Sequence, residues 1–250
     1  MIKEDLKTKI KFGTFSRSNS IDNAEILSEE GFDFIVFDAQ HGLFDEHDIR
    51  NLISVCIRKG SSPIVRIPDP IEGNIIHSLD FGAEGIIIPG LETVEDVKHV
   101  FSFTKFFPEG SRGLNGASPV ANHGNISVKD YMEESNKKVM SLLMVETKYM
   151  VDHIEELSKI STIDGFFIGP NDLSVSLGLP GKTTDEVVLN AIKHVAEVGI
   201  KNGKIVGGYA GNIEQAKRYI SYGMTMISCS NDFKLLQSAS KKMISELKEL

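Results

Sequence analysis

Short apolar runs alternate with amphipathic segments about eight times along the 250-residue chain, and this rhythm constrains its fold more than any other feature. A strand followed by a helix, repeated, requires parallel strands joined by right-handed crossovers. The strands are expected over Lys11–Phe15, Phe32–Phe37, Pro63–Ile67, Gly85–Ile88, Met140–Val145, Gly165–Ile168, Lys204–Val206 and Thr225–Ser228. Helices fill the gaps, with Gly60 and Gly82 as stops, Thr93 and Asn212 as N-caps, and a final amphipathic helix from about Asp232 to Glu249. Eight units in this length favour an α/β fold closed into a (β/α)8 TIM barrel over an open sheet, with residues 1–250 as one domain. One stretch breaks the rhythm. Residues 107–135 hold Pro108, Gly110, Gly113, Gly116, Pro119 and Gly124 and are expected to form an active-site loop.

Composition narrows the function classes. Thirty-five acidic against 27 basic residues leave a net charge of −8, which argues against non-specific binding to nucleic acid or an anionic membrane and favours small molecules as partners. No apolar stretch is long enough to span a membrane, and the N-terminus is charged throughout, so a cytoplasmic location is expected. Cys56 and Cys229 have no neighbouring cysteine to complete a zinc or redox pattern and are expected to be buried, reduced thiols.

The unusual polar residues collect after the strands, at the barrel end where such folds hold their chemistry: Asp38 and His41, Arg66, Glu146, Asp172. Glu146 ends the fifth strand, and Asp172 lies just past the Gly169-Pro170 stop of the sixth. Each alone is equally well read as a helix cap or a loop acid. Together, at the rim of neighbouring strands, they suggest a site for Mg²⁺ or a similar divalent ion. Arg66 suits a carboxylate or a developing enolate oxygen, or else a structural pair with Asp38. His41 can move a proton near neutral pH, with Asp38 fixing either its tautomer or the arginine's orientation. The other histidines are read as ordinary polar residues. Asp80, near the end of a helix, is poorly placed against the helix dipole and is expected to have a partner, from this chain or another. Arg112 reads equally as a clamp for an anionic substrate tail or as a solvated side chain.

Several motifs together resemble the class II pyruvate-dependent aldolases that cleave 4-hydroxy-2-oxo acids, such as 4-hydroxy-2-oxoheptanedioate or 2-keto-3-deoxy sugar acids. They are Asp38-Ala39-Gln40-His41-Gly42, Pro63-Ile64-Val65-Arg66-Ile67-Pro68, Leu79-Asp80-Phe81-Gly82-Ala83-Glu84-Gly85, Ser111-Arg112-Gly113, Val145-Glu146-Thr147 and Phe167-Ile168-Gly169-Pro170-Asn171-Asp172-Leu173-Ser174. The resemblance implies a barrel whose C-terminal helix is exchanged between subunits of a hexamer. It also implies Mg²⁺, Mn²⁺ or Co²⁺ held by Glu146 and Asp172, catalytic roles for His41 and Arg66, and an Asp80 that reaches a neighbouring subunit's His41 site. Gln40, Met144 and Asn171 stand where the family usually has Glu, Gln and a small residue.

The expected reaction is retro-aldol cleavage to pyruvate and an aldehyde. The cation polarises the keto oxygen, Arg66 stabilises the enolate, and His41 takes the 4-hydroxyl proton. Backbone N–H groups at Asn171 and Asp172 are expected to hold the substrate carboxylate, and Ser174 to cap the helix starting there. A Schiff-base aldolase needs a strand-end lysine, and the sixth strand ends in Gly169-Pro170 instead. A CoA-ester lyase and a non-catalytic small-molecule-binding barrel are the remaining alternatives; no basic cluster suited to CoA phosphates is evident in the sequence.

Overall fold

In a computed structural model describing residues 1–250, eight parallel strands close into a barrel in sequence order. They are β1 (Lys11–Ser16), β2 (Phe34–Asp38), β3 (Ser62–Arg66), β4 (Gly85–Ile88), β5 (Met140–Val145), β6 (Gly165–Ile168), β7 (Ile205–Ala210) and β8 (Met226–Asn231). Every neighbouring pair is parallel, β1 with β8 included. β7 runs to Ala210, past the expected stop at Gly207-Gly208. Those glycines lie inside the strand: a Cβ on Gly207 would come within 2.6 Å of the Met226 backbone oxygen, so the tight approach of β8 excludes a side chain.

The helices begin and end for local reasons. Asp45 and Asp48 form a capping box at the start of α3 (Glu46–Lys59), whose chain reverses through Gly60 at φ 89°. Thr93 and Asp96 make the same box for α5 (Val94–Ser102). A short α1 (Ile2–Asp5) precedes the barrel, and α2 (Ile21–Glu29) and α4 (Glu72–Asp80) complete the early crossovers.

Because strand side chains alternate in direction, each strand feeds two cores. Ile35, Phe37, Val65, Leu143, Val145, Phe166 and Ile168 point outward and pack beneath the helices. Phe15, Phe34, Val36, Ile64, Leu142, Met144 and Phe167 point inward and fill the barrel, which Ile2 and Leu6 close at its N-terminal end. A buried lysine cluster fastens that end. Lys3 and Lys105 both pair with Asp164, at 2.7 and 2.9 Å, and Lys204 donates to the carbonyls of Ile160 and Ile163. Burial pushes Lys105 down to about 8, against the pull of Asp164.

The 107–135 stretch is not a loop over the mouth of its own barrel. It contains a 3-10 turn (Pro119–Gly124) followed by α6 (Val128–Lys138), which leads directly into β5. It is tied to the N-terminal end: Phe106 N–H donates to Asn136, and Lys105 reaches the carbonyls of Asn136 and Val139. The later crossovers are α7 (Lys148–Asp152), α8 (Ile154–Leu157), α9 (Pro170–Ser176), α10 (Glu186–Lys201) and α11 (Ile213–Ser221), before a terminal α12 (Asp232–Leu247). Only Asp232 of α12 is buried, while Phe233, Leu236, Met243, Ile244 and Leu247 are exposed. Cys56 is buried as expected, its thiol pushed up to about 12, whereas Cys229 is only half-buried. No helix is long and apolar enough to cross a membrane.

Removing the shared anion of the lysine cluster leaves the buried Lys3 and Lys105 without an anionic partner. Asp164→Asn is expected to lower the unfolding free energy by about 3–5 kcal/mol, read as a fall in the urea midpoint with an unchanged slope; a loss within experimental error would contradict the assignment.

Candidate active site

The inward alternation that fills the barrel also aims its chemistry. Phe34 and Val36 point inward and so, two residues on, does Asp38; Ile64 is followed by Arg66, and Met140, Leu142 and Met144 by Glu146. Register places Asp38 directly beside Arg66, and the pairing of Val145 with Ile168 brings Glu146 alongside Gly169, three residues before Asp172. The sequence reading is right that the polar strand ends share one rim. Asp38, His41, Arg66 and Asp172 line a cavity of about 290 Å³ at the C-terminal mouth, and Glu146 stands beside Gly169 of its wall.

Asp38 and Arg66 form a two-pronged pair, Arg66 Nε to Oδ1 at 2.8 Å and Nη2 to Oδ2 at 2.7 Å. Both are nearly buried, at 2% and 7% exposed. The Phe15 ring lies 5.2 Å from the guanidinium carbon, so the fork is held from one side by a carboxylate and supported by an aromatic face. Nη1 is left over. It turns towards β5, with Met144 Sδ at 3.8 Å. Asp38 therefore orients the arginine, the second of its two expected roles. It contacts His41 only through the backbone, accepting that residue's N–H at 3.2 Å, and the exposed imidazole lines the cavity.

Glu146 accepts a hydrogen bond from Gly90 N–H at 2.9 Å. Burial pushes its carboxyl above the usual range and the Asp172 charge adds to that shift, while the Gly90 hydrogen bond, Arg66 and His41 pull it back. The two carboxylates thus stand close enough to repel. The wall between them is bare: a Cβ on Gly169 would stand 3.7 Å from Glu146 Oε2 and 2.6 Å from the Met144 methyl. Two hard oxygen donors, one of them made harder to ionise by the other's charge, beside a position kept free of a side chain fit a divalent cation such as Mg²⁺. They are two ligands, and no third His, Cys, Asp or Glu joins them.

Asn171 and Asp172 lie in the first turn of α9, both exposed, and Asn171 and Asp172 line the cavity. Ser174 does not cap that helix. Its hydroxyl donates to Asn171 O at 2.6 Å and accepts from Gly181 N–H at 3.1 Å, fastening the loop that follows. Asp80 does not join His41 within the chain. It stands at the far end of α4 with both oxygens taken, Oδ1 by Arg112 at 2.7 Å and Oδ2 by Asn115 at 3.0 Å. Arg112 is accordingly neither solvated nor a clamp for this chain's substrate; its guanidinium is buried over the Phe106 ring.

Three mouth residues escape the sequence reading. Arg17 lies one residue past β1, Tyr209 follows the in-strand glycines of β7, and Asn231 ends β8. The rule that found Asp38 and Arg66 would have found Arg17 and Tyr209 too, had β1 and β7 not been ended too early. If the Asp38–Arg66 pair is what holds the mouth together, Asp38→Ala should cost about 3–5 kcal/mol by stranding a buried cation, and adding Arg66→Met should recover most of that loss. Urea unfolding of the two single variants and the double variant measures it; additive losses would contradict the pairing.

A family model described as HpcH/HpaI aldolase/citrate lyase matches residues 11–239. A 5-keto-4-deoxy-D-glucarate aldolase of Klebsiella pneumoniae is 33% identical over 232 residues, covering 91% of this chain and 88% of that protein. An HpcH/HpaI aldolase/citrate lyase family protein from Burkholderia cenocepacia superposes with a TM-score of 0.92 at 29% identity over 99% of this chain and 98% of that one. The citrate synthase SbnG does so with a TM-score of 0.89 at 27% identity over the same shares. With its barrel, its strand-end residues and a family match spanning nearly its whole length, the chain belongs to the HpcH/HpaI aldolase/citrate lyase family.

Proposed function

We propose that this chain is a divalent-metal-dependent aldolase that cleaves a 4-hydroxy-2-oxo acid, of the 2-keto-3-deoxy sugar acid type, to pyruvate and an aldehyde. One observation carries the reading: Arg66 keeps Nη1 free of Asp38 and turned towards the strand that bears Glu146. The sugar-acid substrate is drawn from the relative in Klebsiella pneumoniae, named for cleaving 5-keto-4-deoxy-D-glucarate.

Glu146 and Asp172 would hold the ion, which supplies Lewis acidity to the 2-oxo group. Arg66, fixed by Asp38 before substrate arrives, donates from Nη1 to the oxygen that gains charge as the C3–C4 bond breaks, so no reorientation is needed during the step. His41 takes the 4-hydroxyl proton. Its imidazole stands free at the mouth, while its backbone is held by Asp38 at the N–H and by Arg17 at the carbonyl. Asn171 and Asp172 N–H groups, in the first turn of α9, serve the substrate carboxylate. Asp80 stays outside the set that acts within one chain.

We also read the chain as a homo-oligomer, a hexamer in which α12 is exchanged. The exposed apolar face of α12 supports this, because a stripe of Phe233, Leu236, Met243 and Ile244 is unfavourable in water and finds no seat on its own barrel.

In a panel of 4-hydroxy-2-oxo acids assayed with added Mg²⁺ or Mn²⁺, pyruvate release is expected to stop on thorough chelation and return with metal. Arg66→Ala is expected to lower kcat by about 10²–10³, and Glu146→Gln to weaken Mn²⁺ binding by at least about tenfold. Release that survives chelation, with substrate trapped on a lysine by borohydride, would overturn the metal mechanism. No release with any substrate and metal would favour a binding barrel.

A further inference from the structure

We infer that Arg17 is a specificity-determining residue that binds a carboxylate at the end of the substrate remote from the 2-oxo acid group. The inference rests on the aldolase reading, which places the 2-oxo acid end between Glu146 and Asp172.

Arg17 lies in the inward series of β1, two residues after Phe15, and lines the mouth. In a closed ring of eight strands β1 stands opposite β5, so Arg17 faces the Glu146 side across the cavity. Arg66 of β3 and Tyr209 of β7 stand between them on either hand. A substrate anchored at Glu146 and Asp172 and extending across the mouth runs towards Arg17.

The guanidinium is a cation without an anion of its own. Asp38 already gives both oxygens to Arg66, and Arg17 Nε comes no closer to it than 3.6 Å, too long for a good hydrogen bond. Nε is shielded from water and has no hydrogen-bond partner. Only Nη2 is engaged, donating to His41 O at 2.7 Å. An arginine in this state has donors to spare for a bidentate carboxylate.

It is also held ready. Asp232, the buried first residue of α12, accepts Ser16 Oγ at 3.0 Å, Arg17 N–H at 3.1 Å and Ser18 N–H at 3.0 Å. One carboxylate thereby fixes the backbone on both sides of Arg17, and this preorganisation reduces the entropy lost on binding.

The test is binding, by calorimetry in saturating Mg²⁺, of 2-oxoadipate and 2-oxohexanoate. These ligands differ only in the terminal carboxylate, and neither has a 4-hydroxyl group to permit cleavage. The wild-type protein is expected to bind the diacid at least about tenfold more tightly. Arg17→Gln should bring the ratio of the two dissociation constants close to one, and Arg17→Lys should retain part of the preference. A wild type without preference, an Arg17→Gln protein that keeps it, or equal weakening for both ligands would overturn the inference, the last showing that Arg17 acts through His41 or Asp38. If neither 2-oxo acid binds the metal-loaded wild type, the aldolase reading itself fails, and the inference with it.

Discussion

The fork between Asp38 and Arg66 is the interaction on which the site depends. Two charges are withdrawn from water at the top of a barrel otherwise filled with apolar side chains, which is tolerable only because each satisfies the other in a two-pronged geometry. The pairing fixes three things at once. It spends two of the guanidinium's three nitrogens and so aims the remaining one, it holds the start of the His41 loop through a backbone N–H, and it leaves Arg17 only a share of an Asp38 oxygen, 3.6 Å away.

The two carboxylates across the mouth are the complementary arrangement. Glu146 and Asp172 are not paired with any cationic side chain, and the Asp172 charge adds to the cost of ionising Glu146. A stable protein rarely keeps such a pair without a use for it, and a hard cation is the partner their chemistry fits. Arg66 and His41 stand near enough to affect the Glu146 carboxyl, so a ligand placed between the acidic and basic halves would meet opposite charges at its two ends.

Much of this was legible in the sequence because one period governs both core and site. Alternation along a strand places Val36 and Asp38, or Ile64 and Arg66, on the same side, so a reader who finds the buried run also finds the residue beyond it that faces the mouth. The reading failed where that period was hidden. Gly207 and Gly208 look like a turn but are strand positions crowded by β8, and ending β7 there concealed Tyr209. The glycines and prolines of 107–135 look like an active-site loop, yet they shape a crossover fastened to the other end of the barrel by Asn136, Lys105 and the Arg112–Asp80 pair. Loop composition marks irregular backbone, not the end of the barrel that it serves. The awkward placement of Asp80 did signal a partner, and within the chain that partner is Arg112.

A crystal structure of the protein soaked with Mn²⁺ and pyruvate tests the central claim most directly. The account predicts one anomalous peak between the Glu146 and Asp172 carboxylates, with pyruvate beside it and an oxygen within hydrogen-bond reach of Arg66 Nη1. A peak elsewhere, or pyruvate bound away from both carboxylates, would contradict it.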